Sequence, residues 1–274
     1  MHSADDLHNI LKRINGNSYK AYKELKGIYD FSDFMLYIDH VQGDPFASPS
    51  RIRVRVKRNQ TGISEKIARD QQRSIAAGDF LTRQCLKTIG RVVKGRRGSG
   101  KSGQVEMDRP DQQILERTSV LVNNEWVESR LTVGLPAAGR RILGEEAIKI
   151  FFQEVPTLVR ESLLSTAINQ EELEGHWQTY EEANLIRQRL RALGLVAFVT
   201  NGSILPRRSG VDDRPLNKGA TVPFQSPPEL EVEMDLPYSG KRKGMGIPQG
   251  ITIIVATYSR ATEAGYLDFF QCER

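Results

Sequence analysis

The chain has 274 residues, a formal net charge of +5 and a pI near 9.2. Its 39% hydrophobic and 27% charged residues suit one large or two modest globular domains, and no apolar run approaches the ~20 residues of a membrane span. Asp5 and Asp6, with no apolar signal core around them, argue against a secretory or mitochondrial leader. The chain is therefore expected to be intracellular, first of all cytoplasmic, with mitochondrion and nucleus left open. Cys85 and Cys272 lie far apart and predict neither a disulfide framework nor a zinc site, so no metal is expected and a reducing compartment is the default.

Leu7, Ile10, Leu11 and Ile14 fall on one face of an opening helix that Asn15-Gly16 ends. Tyr19 to Lys26 reads as a short basic helix. Phe34–Ile38 reads as a buried strand running into an Asp39–Pro45 turn. Asp39, His40, Gln42, Asp44 and Arg51 make the richest polar cluster of the chain, expected to be a hydrogen-bonded turn bracing two strands in preference to a catalytic group. No catalytic residue is assigned.

Residues 51–58 alternate Arg-Ile-Arg-Val-Arg-Val-Lys-Arg, a strand with one apolar and one cationic face. Arg51, Arg53, Arg55 and Lys57 would stand in a stripe about 6.5–7 Å apart. Lys94, Arg96, Arg97 and Lys101 form a second basic group, and Lys241, Arg242 and Lys243 a third. Such stripes suit polyphosphate or single-stranded nucleic acid, RNA included, unless carboxylates on neighbouring elements neutralise them.

Helical sequence from Ser64 to Arg91 leads into Gly95-Arg96-Arg97-Gly98-Ser99-Gly100-Lys101-Ser102, a literal Gly-x-x-x-x-Gly-Lys-Ser. A phosphate loop needs a buried strand before its glycines and a helix straight after, so that free N–H groups face the phosphates. Here a helix precedes, and a short alternating run stopped by Pro110 follows. A flexible, basic surface loop is the expectation; nucleotide binding by Gly95, Gly100, Lys101 and Ser102 is the alternative.

Ser119–Asn123 and Trp126–Val133 read as paired strands. From Glu145 the sequence turns helical. Ile148, Phe151, Phe152 and Val155 make one face, Pro156 restarts the helix, and another runs from about Glu171 to Leu193 before Gly194. Leu195–Thr200 is an apolar strand that Asn201-Gly202 would turn into Ser203–Leu205. Pro206–Pro228 is a connection, Glu229–Leu236 alternates, and Gly250–Val255 looks the most buried strand of all. The fold class is α/β in a mixed, α+β sense, with a mixed sheet-and-helix domain over 1–143. A helical segment and the first strands of a second core would occupy 144–255, and a poorly packed tail 256–274.

Several segments together resemble the ABC-class ATPase family, to which a kinetoplastid RNA-editing ATPase belongs. They include Tyr19–Lys23, Ile38–Ala47 with Pro49–Arg51, Asp79–Leu81, Gly134–Ala137, Gly194–Val199, Pro223–Pro227 and Gly244–Thr252, in the family's order. The resemblance implies an ABC-type ATPase core over the second half, with ATP and magnesium as cofactors of an intact member. It also implies that Gly250–Val255 leads into a glycine triplet and Gly-Lys-Ser-Thr. Here Ala256–Gly265 follows instead, with no Gly-Lys-Ser/Thr up to Arg274. The reading is an N-terminal portion of such an ATPase, truncated before the family's nucleotide loop, inactive alone, holding no cofactor itself, with RNA or single-stranded nucleic acid as partner. A homodimer or a full-length family member is a further candidate partner, and a ligand-free regulatory or structural fragment is the remaining reading.

Overall fold

The structure is a computed structural model that describes residues 1–253 other than 218 and 220. These fall into two compact units, one of residues 1–177 and one beginning at Gln178.

The first unit opens with β1 (His2–Ser3) and α1 (Ala4–Arg13). Ser3 Oγ accepts the Asp6 N–H at 3.1 Å while the Asp6 carboxylate accepts the Ser3 N–H at 2.8 Å, a reciprocal cap that satisfies two otherwise orphaned donors. A 3₁₀ turn over Tyr19–Leu25 leads to β2 (Gly27–Asp30), β3 (Met35–His40) and β4 (Ser50–Lys57). Short helices α2 (Arg58–Thr61) and α3 (Glu65–Arg69) precede the long α4 (Gln71–Val92). Next come β5 (Val105–Glu106), β6 (Val120–Val122) and β7 (Trp126–Val133), then the small hairpin of β8 (Ala137–Ala138) and β9 (Arg141–Ile142). Helix α5 (Gly144–Lys149), a π-helical turn over Ile150–Glu154, and α6 (Val155–Ser162) follow without a break, with Pro156 in the first turn of α6. Helix α7 (Gln170–Leu190) crosses the division between the units.

Seven strands form one sheet in the order β1–β2–β3–β4–β7, with β5 and β6 both pairing with β7. The alternation read from residues 51–58 is realised, and the same period runs through the neighbouring strands. Leu36, Ile38, Ile52, Val54, Val56, Val127, Leu131 and Val133 are buried on one face. Each such side chain contributes ~1.5–3 kcal/mol relative to exposure. Helix α4 covers this face with Ala77, Leu81 and Cys85, and Cys85 Sγ lies 3.3 Å from Ser162 Oγ of α6. Burial pushes the Cys85 thiol up to about 11, so it is a packing group and not a nucleophile.

The division near residue 143 expected from the change in sequence character is displaced. Ile150, Phe151, Val155, Leu158 and Val159 are all buried within the first unit, because the apolar faces of α5 and α6 close against α1 and α4.

In the second unit a 3₁₀ turn (Arg191–Leu193) and Gly194 end α7. The strands are β10 (Leu195–Thr200), β11 (Arg207–Ser209), β12 (Asp212–Pro215), β13 (Glu231–Leu236) and β14 (Gly240–Pro248). The antiparallel sheet order is β10–β14–β13, with β11 and β12 forming a separate hairpin. Two expectations fail here. Ser203–Leu205 is not the partner of β10; β14 is, with Val199 opposite Met245. Ile251 and Ile253 belong to no strand and are 98% and 81% exposed. The ladder of β14 ends at Pro248, which has no N–H to donate. Ile254, Val255 and the tail 256–274 lie outside the described residues.

Candidate phosphate and nucleic-acid interface

The glycine loop is a packed strut, and this corrects the expectation of a flexible one. It leaves α4 and enters β5, so no helix follows its glycines. Four backbone donors of the loop, those of Arg97, Ser99, Lys101 and Ser102, are engaged inside the protein, as are those of Gly103 and Gln104 just after it. Arg97 N donates to Ser102 O at 2.9 Å, Ser99 N to Ala137 O at 2.8 Å, Lys101 N to Pro45 O at 2.9 Å and Gly103 N to Gly134 O at 2.7 Å. Ser102 N donates to Ser99 O at 3.2 Å and Gln104 N to Lys101 O at 3.1 Å. Ser102 is fully buried; its Oγ donates to Ser99 O at 2.5 Å and accepts the Ala137 N–H at 3.1 Å.

Two glycines make the packing feasible. Gly100 has φ +60° and approaches Pro45 so closely that a Cβ would stand 2.3 Å from the Pro45 carbonyl oxygen. A Cβ on Gly134 would stand 1.8 Å from that of Lys101. The glycines thus serve backbone-to-backbone contact, and the Lys101 and Ser102 N–H groups, which a phosphate loop would turn to its ligand, are bound to Pro45 O and Ser99 O.

The four cations around the loop divide. Arg97 is only 4% exposed in its side chain and is ion-paired to Glu154 and, at 3.3 Å, to Glu146, which removes it from any external ligand. Lys94 and Arg96 are exposed, and Lys101 is half-buried.

The arginine stripe also divides. Its strand carries Arg51, Arg53, Arg55 and Lys57 on the face opposite the core. Arg53 donates to both Asp39 oxygens at 2.6 and 2.7 Å and to Glu128 at 3.0 Å. Arg55 reaches Glu128 at 2.5 Å, and Arg130 reaches it at 2.9 Å. Glu128 has no exposed side-chain surface. Burial pushes it up, but the hydrogen bonds from Arg55, Arg130 and Arg53 outweigh that and hold the carboxyl below its ordinary range. Arg53 holds Asp39 low in the same way, and is itself raised by it. The Arg53 and Arg55 guanidinium groups also lie 4.6 and 4.8 Å from the centre of the Tyr37 ring, and Arg55 lies 4.3 Å from that of Trp126. Arg53 and Arg55 are therefore neutralised in place, while Arg51 and Lys57 are exposed. Beside them an open cleft of about 500 Å³ takes in Asp39, Arg51, Glu106, Asp108, Thr118 and Arg130, a lining of mixed sign.

The polar turn braces two strands, as its composition suggests. Gln42 is 1% exposed; its Oε1 accepts the N–H groups of Ser50 and Leu135 at 3.3 and 3.1 Å, and its Nε2 donates to Asp44 O at 3.0 Å. Asp44 Oδ1 accepts the N–H groups of Phe46 and Ala47 at 2.8 and 3.1 Å. Asp39 belongs to the arginine face, and His40 is exposed. Among the described residues no group of three His, Cys, Asp or Glu is placed to hold a metal ion, and no helix is long and apolar enough to cross a membrane.

Residues 4–166 match the family described as "ATPase of the ABC class N-terminal", and residues 169–260 match "ABC_ATPase: P-loop domain". The first match alone covers more than half of the chain. The chain belongs to the ABC-class ATPase family. No curated protein sequence matches it.

Of the resembling segments of the first unit, Tyr19–Lys23, Ile38–Ala47 and Gly134–Ala137 meet around the glycine loop. Tyr19 Oη donates to Leu135 O at 3.0 Å and Tyr22 Oη to Pro136 O at 2.7 Å. Gln42 binds Leu135, and Pro45 binds Lys101. Burial pushes both tyrosines well above the ordinary phenol range, so they remain neutral donors. What sequence reasoning missed is Glu128 and Glu154, the anions that absorb Arg53, Arg55 and Arg97. Glu128 had a signal in hindsight: it sits in the Trp126–Val133 strand with the parity of Arg130, opposite Arg55.

Proposed function

We propose that this chain is the N-terminal portion of an ABC-class ATPase that does not hydrolyse ATP by itself and contributes a cationic surface for RNA or another single-stranded nucleic acid. The observation that carries the reading is the engagement of the Arg97, Ser99, Lys101 and Ser102 backbone donors, with a strand and not a helix after the loop. With them turned inward, the one Gly-x-x-x-x-Gly-Lys-Ser match in the sequence supports no phosphate cradle, whereas Lys94, Arg96 and Lys101 stand on a fixed scaffold. Phosphoryl transfer needs a phosphate cradle, a held magnesium ion and a positioned water together, and this loop offers none of these.

Binding to single-stranded RNA is expected to weaken steeply with salt, because each phosphate contact releases counterions. Arg96→Gln with Lys101→Gln lowers affinity and flattens the salt slope by about one unit per lost contact. Arg53→Gln with Arg55→Gln leaves the slope near wild type, since those arginines already hold Asp39 and Glu128. ATP turnover that disappears in Lys101→Ala, or RNA binding indifferent to salt, overturns the proposal. Association with a second copy or with a full-length family member remains part of the same proposal, read out by sedimentation.

A further inference from the structure

We propose that Phe46 is a stacking platform for an unpaired base, set at the centre of a cationic cluster of loops. This rests on the nucleic-acid reading above and adds to it a residue that contacts bases. Phe46 is 70% exposed, yet its backbone is held from several directions. Its N–H and that of Ala47 are bound by Asp44 Oδ1, and the preceding Pro45 carbonyl accepts the Lys101 N–H. The ring edge lies against Gly100, where a Cβ would stand 3.0 Å from Phe46 Cδ1. A large apolar ring presented to solvent on a turn this constrained loses little freedom when it binds.

The surroundings select the partner. The turn meets the glycine loop through Pro45–Lys101, the glycine loop meets the β8–β9 hairpin through Ser99 N–Ala137 O and Gly139 N–Ser99 Oγ, and that hairpin meets the 3₁₀ segment through Tyr19 N–Arg140 O. Segments 17–23, 43–49, 94–104 and 135–142 bring Lys20, Arg96, Lys101, Arg140 and Arg141 to one loop cluster and contain a single acid, Asp44, which is occupied as a turn cap. The buried carboxylate beneath this cluster, Glu154, is taken by Arg97 and the Lys94 N–H, and Lys20, Arg96, Lys101, Arg140 and Arg141 form no ion pair among the described residues. Exposed cations around a rigid exposed ring fit a single strand, whose phosphates meet the cations while a base lies on the ring. A protein partner with an apolar pocket gains nothing from so one-signed a rim.

The test compares a short mixed-sequence single-stranded oligoribonucleotide with an abasic ribose-phosphate oligomer of equal length, on the full chain. Alanine substitution at one stacking residue is worth about 1–3 kcal/mol, so Phe46→Ala is expected to weaken the oligoribonucleotide roughly 5- to 150-fold with its salt slope unchanged. The abasic oligomer binds both proteins alike. Phe46→Trp restores affinity, and its fluorescence is quenched by the oligoribonucleotide and not by the abasic one. Since the ring is exposed and the turn is held by backbone contacts, the variants retain the wild-type melting temperature. Equal binding of Phe46→Ala and wild type, with Arg96 and Lys101 still required, overturns stacking and leaves the cationic surface standing. Wild type that binds neither oligomer overturns both. Loss of self-association in Phe46→Ala with RNA affinity intact makes the ring a protein contact and also overturns the proposal.

Discussion

Replacing Ser102 by alanine distinguishes a nucleotide loop from a strut, because the two roles put its hydroxyl in opposite places. In a phosphate loop that oxygen faces the ligand and its metal, and its loss costs ligand affinity with little change in the free protein's stability. Here the hydroxyl is buried, donates to Ser99 O at 2.5 Å and accepts the Ala137 N–H at 3.1 Å. Ala137 is fully buried, so its N–H finds no water after the substitution. An orphaned buried donor costs about 1–3 kcal/mol, and the lost donation to Ser99 adds about 0.5–1.5 kcal/mol. Relaxation of the loop returns part of this, leaving about 2 kcal/mol. For a unit of this size, 1 kcal/mol corresponds to about 2–4 °C, so the melting temperature should fall by about 4–8 °C. Calorimetry reads the shift, and an equilibrium ATP titration should give the same result for wild type and Ser102→Ala. An unchanged melting temperature together with ATP affinity lost in the variant would refute the reasoning.

Other perturbations read out separate parts of the fold. Gly134→Ala drives a Cβ to 1.8 Å from the Lys101 carbonyl oxygen and breaks the Gly103–Gly134–Gln104 hydrogen bonds of 2.7 and 2.8 Å; a loss of about 3 kcal/mol or more in chemical denaturation is expected, and near-wild-type stability would show that the contact is not rigid. The Asp39 and Glu128 carboxyls are held below their ordinary range in the folded state. Their contribution is therefore present above the ordinary values of 3.8 for Asp39 and 4.5 for Glu128 and is lost as pH falls through the lower folded values. Glu128→Gln should flatten the acid limb of the stability–pH curve and lower stability at neutral pH, and an unaltered acid limb would contradict the Arg53–Glu128–Arg55 assignment.

The legible parts of this chain were those fixed by local periodicity. Residues 51–58 declare a two-faced strand by alternation alone, and Gly194 marks a helix stop. Pro156, which reads as a helix restart, instead lies in helix that runs on from α5 through the π-helical turn. Tertiary pairing decided the rest. Strand β14 reads Gly-Lys-Arg-Lys-Gly-Met-Gly-Ile-Pro, with no apolar alternation, and becomes a strand because β10 and β13 flank it. Ile251 and Ile253 carry a strong strand pattern and form none among the described residues, since propensity without a paired neighbour does not make a sheet. At the candidate interface the polar turn was legible as a turn because Gln42, Asp44 and Pro45 are turn chemistry. The neutralisation of Arg53 and Arg55 was not, because Glu128 reaches them only through a register some 75 residues away in sequence.

The contrast between the two basic groups follows from how each is carried. A strand fixes its side chains at ~7 Å intervals on one face, so three or four arginines there repel one another at constant spacing. The sheet answers with Glu128 between Arg53, Arg55 and Arg130, and with Asp39 on Arg53. The centre of the face, Arg53 and Arg55, is thus engaged before any ligand arrives, and Arg51 and Lys57 at its ends stay exposed. Loop cations sit on backbone that is anchored at other points, and Lys94, Arg96 and Lys101 need no internal counter-charge to hold the loop, because Arg97 alone reaches inward to Glu154. The glycines that imitate a nucleotide loop are what permit this: by letting backbone pack on backbone at Pro45 and Gly134, they fix the loop without using its exposed charges. Those charges then remain available to an external polyanion, which is why the loops and not the arginine strand should set the salt dependence of binding.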